Sequence, residues 1–226
     1  MRLGVLFSGG KDSTLALHLA AEKEEVACLI TVVSKNKESY MFHTPNIDVA
    51  ALQAEALGLP LVSVVTEGRK EAELVELEKA IAEAKSNFQI DGVVTGAVES
   101  VYQASRVQRI CNRLDVWCFN PLWKCDQKAL LETLVKRQFQ VIISGIFAYP
   151  LDEKWLGKQI DTQVIARLVE LKGLYGISPS GEGGEIETTV LDAPMFKQKI
   201  KITEHVVEAK GNSGVYTIKQ ARLVAK

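Results

Sequence analysis

Six residues near the start of the chain, Ser8-Gly9-Gly10-Lys11-Asp12-Ser13, constrain it more than any other stretch. They follow an apolar run, Leu3 to Phe7, that reads as a short buried strand. They precede Thr14 to Lys23, whose Leu15, Leu17 and Leu19 suit a packed helix. A strand that turns on two glycines straight into a helix is the opening unit of an α/β fold. The first N–H groups of a helix lack intrahelical partners, and the macrodipole puts partial positive charge at that end, so anions bind there. Gly9 and Gly10 let the backbone come close to a ligand. Ser8 and Ser13 add hydroxyl donors, and Lys11 adds a full positive charge. The stretch therefore predicts a phosphate site; the alternative is a Gly-Gly turn that enters a helix with no ligand.

The pattern is not the Walker A loop, which needs a glycine, four residues and then Gly-Lys-Ser/Thr. Val5 stands where the first glycine belongs, and Asp12 stands where the magnesium-binding hydroxyl belongs. A chain of 226 residues, 47% hydrophobic, has ample material for a packed core and fits one large or two small domains. Its 27 Lys and Arg against 28 Asp and Glu leave a net charge of -1, which gives no electrostatic reason to expect general nucleic-acid or membrane-surface binding. Met1 to Phe7 lead directly into the glycine turn, so no cleavable signal peptide is expected, and no apolar run is long enough to span a bilayer. Cys28, Cys111, Cys118 and Cys125 lack C-x-x-C spacing, which argues against structural zinc and suits a reduced, cytoplasmic setting.

Further along, Val26 to Val33 reads as a strand buried on both faces of a parallel sheet. Ligands of open α/β sheets bind beyond the carboxyl ends of the strands. Residues just past Phe7 and Val33 should therefore line one crevice, with phosphates at the first and adenosine near the second. A polar segment, Ser34 to Pro45, brings His43 toward the crevice mouth as a contact to nucleotide or substrate, or as a locally packed loop residue. A helix is expected from Asn46 to Leu57, a strand from Leu61 to Val65, a charged helix from Glu67 to Lys85 and a strand from Asp91 to Ala97. Gly96, at the end of that strand, would admit a ribose or adenine.

The next helix, running to about Leu114, carries Glu99, Tyr102, Gln103 and Arg106 three or four apart, so several can share one face. Were that face turned into the crevice, Arg106 could grip a pyrophosphate or a substrate carboxylate; otherwise it forms a surface pair. After a strand at Val116 to Phe119, the alternation of strands and helices predicts a doubly wound parallel sheet. A domain boundary is expected near Leu122, giving 1–122 as a nucleotide-binding domain and 123–226 as a smaller substrate-binding domain. In the second half, Ser178 to Thr189 places three glycines beside Glu182, Glu185 and Glu187, which predicts a loop. Such a loop could recognise a cationic group, bind Mg2+, or simply be solvated. Two alternating runs, Lys199 to Ala209 and Val215 to Leu223, predict a β-hairpin.

Ser8 to Ser13 resembles, without a gap, the SGGxDS phosphate loop of the ATP pyrophosphatase (PP-loop) superfamily. Tyr40 to Asn46, Gly96 to Val107, Pro121-Leu122-Trp123, Gly181 to Thr188 and Asp192 to Phe196 then occur in the order found in the diphthine ammonia ligase family. Ile186 departs from that family, which more often has an aromatic residue there, and the chain is similar to the minimal archaeal-type form. The resemblance implies an adenine-nucleotide α-hydrolase-like (HUP) sheet with a smaller C-terminal α+β domain. It also implies ATP-dependent amidation of diphthine on translation elongation factor 2 through an acyl adenylate, releasing AMP and pyrophosphate. No glutaminase Cys and His motif is seen, so ammonium is the implied nitrogen donor.

By the same resemblance, Ser8, Gly9, Gly10, Lys11, Asp12 and Ser13 would hold ATP phosphates together with Mg2+ oriented by Asp12, and His43 and Gly96 would serve the nucleotide. Lys11, Asp12 and Arg106 would be catalytic. Tyr102, Gln103, Glu182, Glu185, Glu187 and Thr188 would bind substrate, with Tyr102 and Trp123 as aromatic neighbours of the trimethylammonium group. A homodimer is left open. So are two other functions: a tRNA-modifying ATP pyrophosphatase and an ATP sensor without turnover.

Overall fold

The computed structural model describes residues 1–36, 45–69, 71 and 73–226. In the first half, strands β1 (Arg2–Leu6), β2 (Glu25–Ser34), β3 (Leu61–Thr66), β4 (Gly92–Val94) and β5 (Trp117–Phe119) alternate with helices α1 (Lys11–Ala21), α2 (Val49–Leu57), α3 (Glu73–Phe88) and α4 (Val101–Arg113). The strands form one sheet in the order β3-β2-β1-β4-β5, with every neighbouring pair parallel. The chain winds outward from β1 to β3, then returns to lay β4 on the other side of β1. The switch point therefore lies between β1 and β4, where an open α/β sheet leaves its crevice. The segments emerging there are Ser8 to Gly10 and Thr95 to Ser100.

Alternation along the strands sends side chains to two cores, as a sheet covered on both faces requires. Leu3, Val5, Leu29 and Val94 face one core with α1 and α2. Cys28, Ile30, Val32 and Val93 face the other, against Leu77, Ala80, Ile81 and Ala84 of α3 and Val107, Ile110 and Cys111 of α4. The helix expected from Glu67 starts only at Glu73, because Gly68 takes a left-handed φ of 69° that a right-handed helix cannot contain.

The second half contains α5 (Gln127–Lys136), β6 (Gln140–Ile146), a 3-10 turn (Glu153–Trp155), α6 (Thr162–Tyr175), β7 (Ile186–Asp192), β8 (Lys199–Lys210) and β9 (Ser213–Val224). Its four strands form a separate antiparallel sheet in the order β7-β6-β9-β8. The hairpin turn is tighter than the sequence suggests: Lys210 pairs with Ser213, leaving only Gly211 and Asn212 between the strands. The glycine-rich stretch is likewise not all loop. From Ile186 onward it is strand, paired with β6 through Gly145↔Glu187 and Ile143↔Thr188. Gly181, Gly183 and Gly184 all precede this point, and the β-branched Ile186, Thr188, Thr189 and Val190 that follow suit a strand.

One hydrophobic core joins the two halves, since Leu3, Val5, Phe7, Leu15 and Leu17 cluster with Leu131, Ile143, Ile146, Ile186, Val190 and Ile200. Hydrogen bonds stitch the same seam. The Val190 N–H donates to the Gly9 carbonyl at 3.0 Å. Gln53 Nε2 donates to the Gly9 and Val190 carbonyls at 2.9 and 2.8 Å. The glycine turn after β1 is therefore held from the second sheet as well as from its own.

Candidate active site

At the switch point lies a cavity of about 710 Å³, walled by Ser8, Gly10, Lys11, Asp12 and Ser13, by Thr95 to Val98 with Ser100, Gln103 and Val107, and by Phe147 with Gly181 to Gly184 and Ile186 to Thr188. Both chemically loaded stretches of the sequence thus open onto one space. Each reaches it for a local reason.

The turn from β1 into α1 passes through Gly9, whose φ of 77° belongs to the left-handed region that glycine enters without strain. A side chain there would collide with Gln53 Oε1. Gly10 then caps α1 without a side-chain bond of its own, and the first helical amide, Lys11 N–H, donates across the seam to Thr188 Oγ1 at 3.1 Å. Ser8 N–H donates to Ser13 Oγ at 3.2 Å, and the two serine hydroxyls lie 3.1 Å apart. These hydroxyls face the cavity and can rotate toward an incoming anion. Gly96 lines the cavity too, and its missing side chain faces the loop: a Cβ there would lie 2.7 Å from Ser13 N and 2.9 Å from Asp12 C. Glycine at 96 therefore serves to seat β4 against the start of α1, where the sequence suggested room for a ribose or adenine.

Charge is concentrated on the walls. Lys11 is only 3% exposed, and its Nζ is 2.7 Å from Asp12 Oδ2. Burial alone would lower its pKa, but Asp12, Glu182 and Glu187 more than reverse this and hold it above the usual lysine value. Desolvation pushes the Glu182 carboxyl up to about 7, helped by Asp12 and opposed by Lys11. Desolvation also carries Glu187 to about 7, with Lys11 again opposing. Asp12 Oδ1 is buried without a hydrogen-bond partner among the described residues.

Not every residue singled out in the sequence reaches this space. Helix α4 starts after Ser100, whose side chain accepts from Gln103 N–H at 3.3 Å, and this phase turns Ser100, Gln103 and Val107 to the cavity. Tyr102 and Arg106, one residue out of phase, lie outside its lining. Tyr102 Oη donates to Glu71 Oε1 at 3.0 Å, Arg106 Nε donates to the same oxygen at 2.9 Å, and the guanidinium stacks 3.4 Å from the tyrosine ring centre. The face expected to be shared is therefore divided between Glu71 and the cavity.

Glu185 is also outside the lining. Its oxygens accept from Ser178 N–H at 2.8 Å and Gly183 N–H at 2.9 Å, so it braces the glycine-rich turn from within. Trp123 is not a wall residue and is 39% exposed. His43 lies outside the described residues. Phe147, Gln53 and Thr95 were not foreseen. Phe147 follows β6 in a stretch without motif or periodicity, and Gln53 is a polar residue on the buried face of a helix whose other polar residue, Glu55, is exposed; neither carries a signal that local sequence could supply.

Among the described residues, no group of three or more His, Cys, Asp or Glu side chains could hold a metal ion, and no helix is long and apolar enough to cross a membrane.

Two family models match the chain: the diphthamide synthase N-terminal domain over residues 1–117 and the diphthamide synthase C-terminal domain over residues 126–224. A diphthine–ammonia ligase of Bos taurus is 35% identical over 223 residues, covering 88% of this chain and 82% of that protein. One of Danio rerio is 34% identical, covering 92% and 90%. A solved structure described as a predicted subunit of tRNA methyltransferase from Methanocaldococcus jannaschii aligns with 86% of this chain and 98% of its own, at 19% identity and a TM-score of 0.45. With models matched across both halves and relatives above 30% identity along most of their own length, this chain belongs to the diphthamide synthase family.

Proposed function

We propose that this chain is an ATP-dependent ligase that converts diphthine on translation elongation factor 2 to diphthamide, with ammonium as the nitrogen donor. One observation carries the reading: a single cavity is walled both by the glycine turn at the head of α1 and by the segment Gly181 to Thr188 from the second half. In this reading the glycine turn serves as the anion site and the adjoining acidic segment attracts a cation. Diphthine brings a carboxylate and a quaternary ammonium, and ATP brings the phosphates.

A carboxylate is a poor electrophile because its leaving group is oxide. Transfer of AMP to the carboxylate gives an acyl adenylate whose leaving group is AMP, and ammonia then displaces it. In this scheme the loop N–H groups, the hydroxyls of Ser8 and Ser13 and the Lys11 ammonium stabilise the charge of the departing pyrophosphate. Residues 1–122 hold ATP, with Gly96 keeping the loop seated and Gln103 at the crevice wall, and residues 123–226 supply the substrate wall. Glu182 attracts the trimethylammonium group, which has no N–H to donate and responds only to charge and to aromatic faces. Glu185 shapes the turn, Thr188 fixes Lys11 N–H, and Arg106 with Tyr102 stays bound to Glu71 outside the reacting set.

Magnesium suits this site as a phosphate-borne ion. The unpartnered Asp12 Oδ1 offers one hard oxygen, and Mg2+ commonly takes one or two carboxylates, with waters and substrate phosphates completing its shell. When bound it would neutralise phosphate charge.

The test combines the protein with Mg-ATP, isotopically labelled ammonium and elongation factor 2 carrying diphthine. AMP released together with label in the factor is the expected result. ADP in place of AMP, or no label despite turnover, would overturn the reading.

A further inference from the structure

Amidation begins with ammonium, which has no lone pair, and ends with an amide nitrogen, so two protons must leave. Given the proposed function, on which this inference rests, the cavity needs a proton acceptor near the reacting carbon. Three carboxylates line it: Asp12, Glu182 and Glu187. Asp12 is paired with Lys11. The Glu187 side chain has no hydrogen bond or ion pair with any described residue, Asp12 included, although its backbone pairs with β6. The charged groups that bear on it are Lys11 and Asp12 of α1 and Glu182 of the glycine-rich turn.

Its setting is unusual for a carboxylate. Glu187 sits on β7 opposite Gly145 of β6, and a Cβ at Gly145 would lie 3.1 Å from Glu187 Cβ and 2.8 Å from Phe147 Cε2. The absent side chain leaves a notch in which the Phe147 ring and the Glu187 stem lie together on the cavity wall. An aromatic ring beside an unpaired carboxylate suits a small cation, since both attract positive charge. The same apolar wall desolvates the carboxylate and raises its proton affinity toward neutrality, where a general base works best.

We infer that Glu187, with the Phe147 ring beside it, holds the incoming ammonium and takes the proton whose removal frees the nitrogen lone pair. The lone pair forms the C–N bond to the acyl carbon. The C–O bond to AMP breaks, and its electron pair leaves on the AMP phosphate. The second surplus proton on nitrogen passes to the same phosphate as AMP departs.

The test uses the full chain, Mg-ATP, diphthine-bearing elongation factor 2 and two nucleophiles. Hydroxylamine is a much weaker base than ammonia and is already neutral at assay pH, so it needs no base to deprotonate it. Glu187→Gln should lose about 10²-fold or more in amide formation from ammonium, yet form hydroxamate at a rate near wild type. Its deficit with ammonium should narrow as pH rises and free ammonia accumulates. Phe147→Leu should raise the KM for ammonium and leave hydroxamate formation unchanged, which keeps the idea testable if Glu187→Gln does not fold. Equal losses with both nucleophiles would make Glu187 a binding or structural residue and overturn the inference. A wild-type protein that binds ATP but forms neither product would instead defeat the proposed function, and the inference with it.

Discussion

Gly96→Ala is the substitution whose cost can be worked most directly from the geometry. The added Cβ would lie 2.7 Å from Ser13 N, 2.9 Å from Asp12 C and 3.0 Å from Ser13 Cα, where ordinary contact begins at 3.4 Å. The largest shortfall is therefore 0.7 Å, the difference between 3.4 and 2.7 Å. All three neighbours are backbone, so no side chain can swing aside, and either the end of β4 or the start of α1 must move. Overpacking of this kind costs about 1–3 kcal/mol. In a domain this large that corresponds to a fall in Tm of about 2–12 °C. The functional cost should be larger, because the strain falls on the turn to which the proposed function assigns the phosphates, and misplacement approaching 1 Å costs about 10²-fold in rate. Thermal unfolding and AMP release would read the two effects. Gly173→Ala is the internal control: Gly173 lies in α6 with nothing within 4 Å of its would-be Cβ, so alanine there should stabilise by about 0.5–1 kcal/mol. If Gly96→Ala matched wild type in both Tm and AMP formation, the seating role of Gly96 would be wrong.

Lys11→Met removes the buried cation beside Asp12 and should lower AMP formation by about 10²–10³-fold; retained turnover would exclude a role in pyrophosphate departure. Gln53→Ala strips the carbonyls of Gly9 and Val190 of a shared donor and should cost about 1–3 kcal/mol in chemical denaturation, with weaker ATP binding; unaltered ATP affinity would show that the seam does not set the loop. Glu185→Ala should speed amide hydrogen exchange at Ser178 and Gly183, the two donors it satisfies, and exchange at the wild-type rate would contradict the bracing role. Glu182 and Glu187 are raised from 4.5 to about 7, so between these values the folded chain binds more protons than the unfolded one, and their contribution to stability falls as pH rises through that window. The double variant Glu182→Gln, Glu187→Gln should therefore gain Tm relative to wild type on going from pH 4.5 to above pH 7, and no gain, or a loss, would refute the shifts.

The first half of the fold was legible because its signals are local. A strand ending in Ser8-Gly9-Gly10 and followed by a leucine-rich helix describes itself, and the buried run at Val26 to Val33 needs no distant partner to be read as a strand. What escaped depends on contacts far apart in the chain. Helical spacing placed Tyr102, Gln103 and Arg106 on one face, but Glu71, more than 30 residues away, takes Tyr102 and Arg106 and leaves Gln103 to the cavity. Within the glycine-rich stretch, composition gave Glu182, Glu185 and Glu187 equal standing. Strand pairing from Ile186 onward separates them, turning Glu187 to the cavity while Glu185 closes on its own turn. Gln53 and Phe147 are placed by the joining of the two sheets, which no local pattern encodes.

The central claim is that ATP activates the diphthine carboxylate in the cavity between the glycine turn and the acidic wall. It is tested most directly by labelling both carboxylate oxygens of diphthine with 18O, running the reaction with unlabelled Mg-ATP and ammonium, and weighing the products. An acyl adenylate requires one labelled oxygen to leave on the phosphate of AMP and the other to remain in the amide. Labelled oxygen in pyrophosphate or inorganic phosphate, with unlabelled AMP, would contradict the account.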